Sequence, residues 1–216
     1  MNKPFEKWFT EELELTFGLQ RKTVLAHLTN WLNNTVEVSE QERQAITTLQ
    51  TAYIADRELW NEQELESIFI IPLIQLVQYG DNKNYRFFLE RKLTAKVQNE
   101  TLNGNVDFML AEGRQLPRNP FFCIHEYKTS KKSDNDPQGQ LLAAMLTAQA
   151  KNTNKDNPIY GCVVVQDLWK FVVLQHNNYA VSTNFDAAKN DIFEIFKVLK
   201  YIKYYIEAQY STNATM

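Results

Sequence analysis

The stretch Phe121-Phe122-Cys123-Ile124 runs without interruption into His125-Glu126-Tyr127-Lys128. Four apolar residues in a row give a strand no polar face, so it belongs in the middle of a sheet that is covered on both sides. Charge begins only at its end. With a repeat of two, Glu126 and Lys128 share one face and His125 and Tyr127 the other. A chain of 216 residues can supply the neighbouring strands and the covering layers within one domain, or one domain with a small appendage.

The flanking pattern fills in those layers. The first third reads as helical, with Val24, Leu25, Leu28, Trp31 and Leu32 at helical spacing. Ser39 and Glu42 have the form of a capping box, and Ile46, Leu49, Ala52 and Tyr53 follow on one face. Asn61 and Glu64 repeat the cap. The helix they open carries apolar residues nearly all round through Val77, which predicts burial, and Pro72 should kink it or shift its backbone bonds.

After Gly80-Asp81-Asn82 the period changes to two. Tyr85–Val97 and Leu102–Ala111 read as a hairpin, with Val106, Phe108 and Leu110 on one face and Asn105, Asp107 and Met109 on the other. The strand holding Glu126 should span Phe121 to Thr129. Asp136-Pro137 then opens a helix towards Asn152, with Asp136 as its cap. Strands Ile159–Gln166 and Trp169–Gln175 follow, joined at Asp167-Leu168, and His176-Asn177-Asn178 is a further turn. A last helix, about Asp186 to Gln209, has the stripe Ile192, Ile195, Phe196, Leu199, Ile202 and Ile206. This order fits an α/β fold, a mixed sheet flanked by helices.

Composition narrows the class. Hydrophobic residues at 44% support a buried core, and only 6 Gly and 6 Pro favour long regular elements. Both cysteines, Cys123 and Cys162, lie in apolar runs, as expected of buried thiols in a cytoplasmic protein. The 3 histidines are scattered and no CxxC occurs, which argues against structural zinc. No apolar signal core opens the chain, and the longest apolar run, near residues 68–77, is too short for a bilayer, so no membrane is expected. A net charge of -3 opposes bulk coating of nucleic acid and leaves room for a local basic cleft.

The chemistry centres on Asp107, 19 residues before Glu126. If their strands pair, the two carboxylates meet. In a partly dry site they repel, and a divalent cation removes the conflict. Asp107, Glu126 and the backbone carbonyl of Tyr127 can supply hard oxygen ligands to Mg²⁺ or Mn²⁺. The cation activates a water against a phosphodiester, and Lys128 orients that water or stabilises developing charge. The alternative for Glu126 and Lys128 is an exposed ion pair worth about 0–1 kcal/mol; the apolar surroundings and Asp107 favour the site. A second Glu-x-Lys, Glu90-Arg91-Lys92, shows how readily the pattern arises.

Gly104-Asn105-Val106-Asp107, Ile124-His125-Glu126-Tyr127-Lys128 and Gln140-Leu141-Leu142-Ala143 together resemble the PD-(D/E)XK, or restriction-endonuclease-like, nuclease superfamily. Val106 stands where the name-giving motif has Pro. Tyr160-Gly161 with Trp169-Lys170-Phe171 resembles a strand pair of many bacterial members, and the likeness covers about residues 61 to 210. It implies a restriction-endonuclease-like core over residues 61–216 and an N-terminal helical segment over 1–60. It implies Mg²⁺-dependent hydrolysis of phosphodiester bonds, with DNA as the expected substrate. Asp107, Glu126 and Lys128 would form the catalytic cluster, Glu62 would add a carboxylate from the first core helix, and Gln140 would make a polar contact at the site's edge. Glu62 can equally serve as a favourable charge at a helix N-terminus, Glu64 is assigned to the cap, and Glu66 is unassigned. Lys131, Lys132, Arg91 and Lys92 are candidates for phosphate contact. Cutting both strands of a duplex would call for a homodimer. The alternative function is a catalytically silent module of the same fold that binds nucleic acid or a protein partner.

Overall fold

The computed structural model describes residues 2–80, 84–129 and 136–213. Its strands are β1 (Asn2–Pro4), β2 (Gln20–Arg21), β3 (Tyr85–Val97), β4 (Glu100–Glu112), β5 (Arg118–Lys128), β6 (Ile159–Val165), β7 (Leu168–Gln175), β8 (Asn178–Val181) and β9 (Phe185–Asp186). They form one open mixed sheet in the order β1-β4-β5-β6-β7-β8-β2, with β3 beside β4 and β9 beside β7. β5 and β6 are parallel, joined by the crossover helix α6 (Pro137–Lys151), while β3/β4, β4/β5 and β6/β7 are antiparallel.

The helices are α1 (Thr10–Phe17), α2 (Ala26–Leu32), α3 (Glu40–Asp56), α4 (Glu62–Glu64), α5 (Ile71–Val77), α6 and α7 (Asp191–Asn213). They lie in two layers. Tyr127, Tyr160, Cys162, Val164 and Phe171 pack with Trp31, Ile46, Leu73 and the buried stripe of α7. Ile124, Met109, Val163 and Val172 pack on the other face with Phe17 of α1 and Leu141, Leu142 and Met145 of α6. As β5 is covered on both sides, its run of apolar residues is explained. Cys123 and Cys162 are buried and free. No helix among the described residues is long and apolar enough to cross a membrane.

Several local expectations hold. Both capping boxes form, at Ser39 with Glu42 and at Asn61 with Glu64. Pro72 has no N–H and would crowd the carbonyl four residues back. The chain answers with a π-helix, Leu65–Ile70, in which Ile71 N–H reaches back to Glu66 O. The six residues of the last helix's stripe are all fully buried.

Other expectations are corrected. The first sixty residues supply strands as well as helices: β1 pairs with β4, and β2 with β8. Asp136 does not cap its own helix. Its Oδ2 accepts from the Thr10 N–H and hydroxyl, both at 2.7 Å, and so satisfies the start of α1. The β3–β4 turn is the two residues Gln98-Asn99, so β4 begins at Glu100. The β6–β7 turn is Gln166-Asp167, the turn at His176-Asn177 leads into β8 and β9, for which the sequence carried no expectation, and α7 starts at Asp191. Ile68 is exposed, not buried.

The single face expected for Val106, Phe108 and Leu110 of β4 also breaks. Leu102 and Val106 lie in the α6 layer, whereas Phe108 and Leu110 lie in the α7 layer. The side chains therefore exchange faces at Asp107. Its partner strand does the same: the β3/β4 pairing skips Glu90 and Asp107, and Glu90 has φ 48. Gly104 is required nearby, since a Cβ there would stand 2.5 Å from the buried Phe5 ring.

Candidate active site

The site begins where β4 and β5 part. Their ladder ends at Phe108↔His125. One residue further, the backbone N–H of Tyr127 donates to Asp107 Oδ2 at 2.7 Å, so the Asp107 side chain replaces the missing strand partner. That bond sets the Asp107 carboxylate beside Glu126. Glu126 is only 2% exposed, and its Oε1 lies 2.8 Å from Lys128 Nζ.

Lys128 closes β5. Its Nζ donates to the Tyr127 carbonyl at 2.8 Å and to Glu62 Oε1 at 3.1 Å. Glu62 arrives from the first turn of α4, whose start is held by the Asn61 box. One helical turn on, Glu66 sits in the π-helix. A ligand oxygen from each of Glu66, Glu90 and Asp107 lies within 4.8 Å of the others, a group that could hold a metal ion. Glu62, Asp107 and Glu126 thus crowd the ammonium of Lys128, and Glu66 and Glu90 adjoin Asp107.

The electrostatics follow from crowding. Burial pushes the Glu126 carboxyl up to about 8, and repulsion from Asp107 adds to this against the pull of Lys128. Asp107 rises to about 6, mainly by burial, although Lys128 and the Tyr127 N–H oppose the shift. Glu66 rises to about 7 through burial and then its neighbours Asp107 and Glu90. The Lys128 amine is raised as well: burial disfavours its charge, but Glu126, Asp107 and Glu62 outweigh that and hold the ammonium protonated. Without a cation, the group keeps protons on acids that are normally ionised at neutral pH.

The residues singled out from sequence are thus partly brought together. Asp107, Glu126, Lys128 and Glu62 meet. The Tyr127 carbonyl faces the same point but accepts from Lys128 Nζ. Gln140 stands half-buried in the first turn of α6, and none of the hydrogen bonds among the described residues joins it to this group. Arg91 and Lys92 are exposed next to Glu90, while Lys131 and Lys132 lie outside the described residues. His125 is fully buried, stacks on Phe108 at 4.5 Å and contacts the Tyr127 hydroxyl at 2.8 Å. Burial lowers it to about 3, so it stays neutral and serves packing.

Sequence reasoning missed Glu66 and Glu90. Glu66 is four residues from Glu62, hence on the same side of a helix. Glu90 falls opposite Asp107 once the hairpin is counted from its true turn, Val97↔Glu100. No family model matches the chain, and no curated protein matches it. Fold and site together define a mixed α/β protein in which Glu66, Glu90 and Asp107, from the π-helix, β3 and β4, form a carboxylate group that could hold a metal ion beside the end of the central strand.

Proposed function

We propose that this protein is a divalent-cation-dependent nuclease with a restriction-endonuclease-like core of the PD-(D/E)XK kind, acting on DNA. The observation that carries the reading is the imbalance among the described residues at the end of β5: half-buried Asp107 and buried Glu126, with Glu66 and Glu90 beside Asp107, against the ammonium of Lys128. Such a group is unfavourable without added positive charge. The donors fit Mg²⁺ or Mn²⁺, which take carboxylate and carbonyl oxygens.

A bound cation of this type supplies a more acidic water and neutralises charge on a phosphodiester. The chain's own residues do the rest. Asp107 is fixed by the Tyr127 N–H. Glu126, ionised once its repulsion is compensated, adds a second carboxylate from the adjoining strand. Glu66 and Glu90 extend the set of available ligands beyond Asp107, Glu126 and the Tyr127 carbonyl; that carbonyl becomes available when Lys128 turns towards substrate. Lys128 stays charged and can donate to a phosphate oxygen or to the attacking water, while Glu62 holds it at the entrance.

The test is a cleavage panel of single- and double-stranded DNA and RNA with Mg²⁺, Mn²⁺ or EDTA, run beside Lys128→Ala. The reading expects cutting of DNA that requires the cation and falls by 10²–10³ or more, as an order of magnitude, in the variant. Cutting that persists in EDTA, or at full rate in Lys128→Ala, would refute it. Binding without cutting under either cation would leave the silent module.

A further inference from the structure

We propose that Arg86, Arg91 and Arg114 form a phosphate track that carries the sugar-phosphate backbone of a nucleic-acid strand to the carboxylate group. This deepens the nuclease reading and takes its substrate class from it. The three arginines are exposed and line one surface pocket of about 390 Å³ with Phe88 and Gln115. None has a carboxylate partner among the described residues. Arg86 Nη1 donates to the Arg114 carbonyl at 2.8 Å, and its guanidinium lies over the Phe88 ring at 5.5 Å. The chain has 26 acidic against 23 basic residues, and Lys3, Arg57, Lys128, Lys189, Lys197 and Lys200 all find carboxylates. Three guanidiniums held together without one make a site suited to an anion.

The backbone shows how they come together. Strict alternation would put residues 86 and 91 on opposite faces of β3. Yet Phe88 and Leu93, also an odd distance apart, lie in the same α6 layer. The faces exchange between them, at Glu90 with φ 48. That one irregularity lets Arg86 and Arg91 open on a common pocket while Glu90 meets Glu66 and Asp107. Among the described residues β3 pairs only with β4, so the track runs along an edge of the sheet. At about 3.3 Å per residue, Arg86 is roughly 13 Å along the strand from Glu90. Charges on an edge strand can also discourage sheet pairing, but Arg114 lies in the β4–β5 loop and guards no edge.

The experiment is fluorescence anisotropy of a labelled DNA duplex in EDTA, across a salt series, where no cation supports cutting. It compares the wild type, the triple variant Arg86→Gln/Arg91→Gln/Arg114→Gln, the single loop variant Arg114→Glu, and Lys22→Gln at the far edge as control. Removing three phosphate contacts should reduce the slope of log affinity against log salt by about 2.7, so that a fourfold rise in salt weakens the wild type about 40-fold more than the triple variant. Arg114→Glu should weaken binding and the control should not. The proposal is overturned if the triple variant keeps wild-type affinity and slope, if the wild type binds no nucleic acid, or if anionic lipid vesicles displace the duplex. Binding that needs the arginines but no cutting under Mg²⁺ or Mn²⁺ supports the track and ends the nuclease reading. Cutting by the triple variant at the wild-type rate and KM does the reverse.

Discussion

Replacing Glu126 by Gln keeps the shape of the buried side chain and removes its ability to ionise. Glu126 is 2% exposed, and its carboxyl is pushed from 4.5 up to about 8. The folded chain therefore holds a proton that the unfolded chain releases above about pH 4.5. Folding takes up protons across this window, so stability falls as pH rises from about 4.5 to about 8 and levels off beyond. At 1.36 kcal/mol per pH unit, the ionised wild type is destabilised by roughly 5 kcal/mol above about pH 8. Glu126→Gln escapes that loss. In EDTA the variant should match the wild type near pH 5 and exceed it by roughly 4–5 kcal/mol near pH 9, a urea-midpoint shift of about 2 M for a slope of about 2–3 kcal/mol/M. Added Mg²⁺ should close the gap from the wild-type side, since a ligand bound only by the folded state stabilises it. A midpoint difference that stays constant from pH 5 to pH 9 would show that Glu126 carries no such strain, and the electrostatic argument for the site would fail.

Three further outcomes follow. Glu66→Gln and Glu90→Gln should each weaken Mn²⁺ binding on the order of tenfold or more by titration calorimetry; unchanged affinity would return the ligand set to Asp107, Glu126 and the Tyr127 carbonyl. Gly104→Ala forces a Cβ against Phe5 at 2.5 Å and should cost about 1–3 kcal/mol, read as a Tm lowered by several degrees; an unchanged Tm would mean that the Phe5 ring moves freely. Asp136→Ala removes both acceptor bonds to Thr10 and should cost about 1–2 kcal/mol in urea unfolding, with Asp136→Asn close to wild type. If Ala and Asn behave alike, the cap on α1 contributes little.

Patterns that repeat within a few residues were readable from the chain. The two capping boxes, the stripe of α7, the doubly apolar β5 and the shared face of Glu126 and Lys128 depend on neighbours three or four residues away, or on simple alternation. Errors arose where a single residue changes the count. Placing the hairpin turn at residues 98–101 instead of Gln98-Asn99 shifts the register by two and hides Glu90 from Asp107. Asp136 looked like a cap for the helix it precedes because local chemistry cannot show that Thr10, 126 residues away, competes for its carboxylate.

By itself, then, the sequence determined that a central strand would end in Glu126-Tyr127-Lys128 and that helices would cover it, because burial periodicity is local and repeats every two or 3.6 residues. Only the tertiary structure decided which carboxylates share that end. The face exchange at Glu90 and Asp107, the π-turn before Pro72 and the parting of β4 from β5 each turn a side chain by one position. Such turns are settled by packing between distant segments, to which local periodicity is blind.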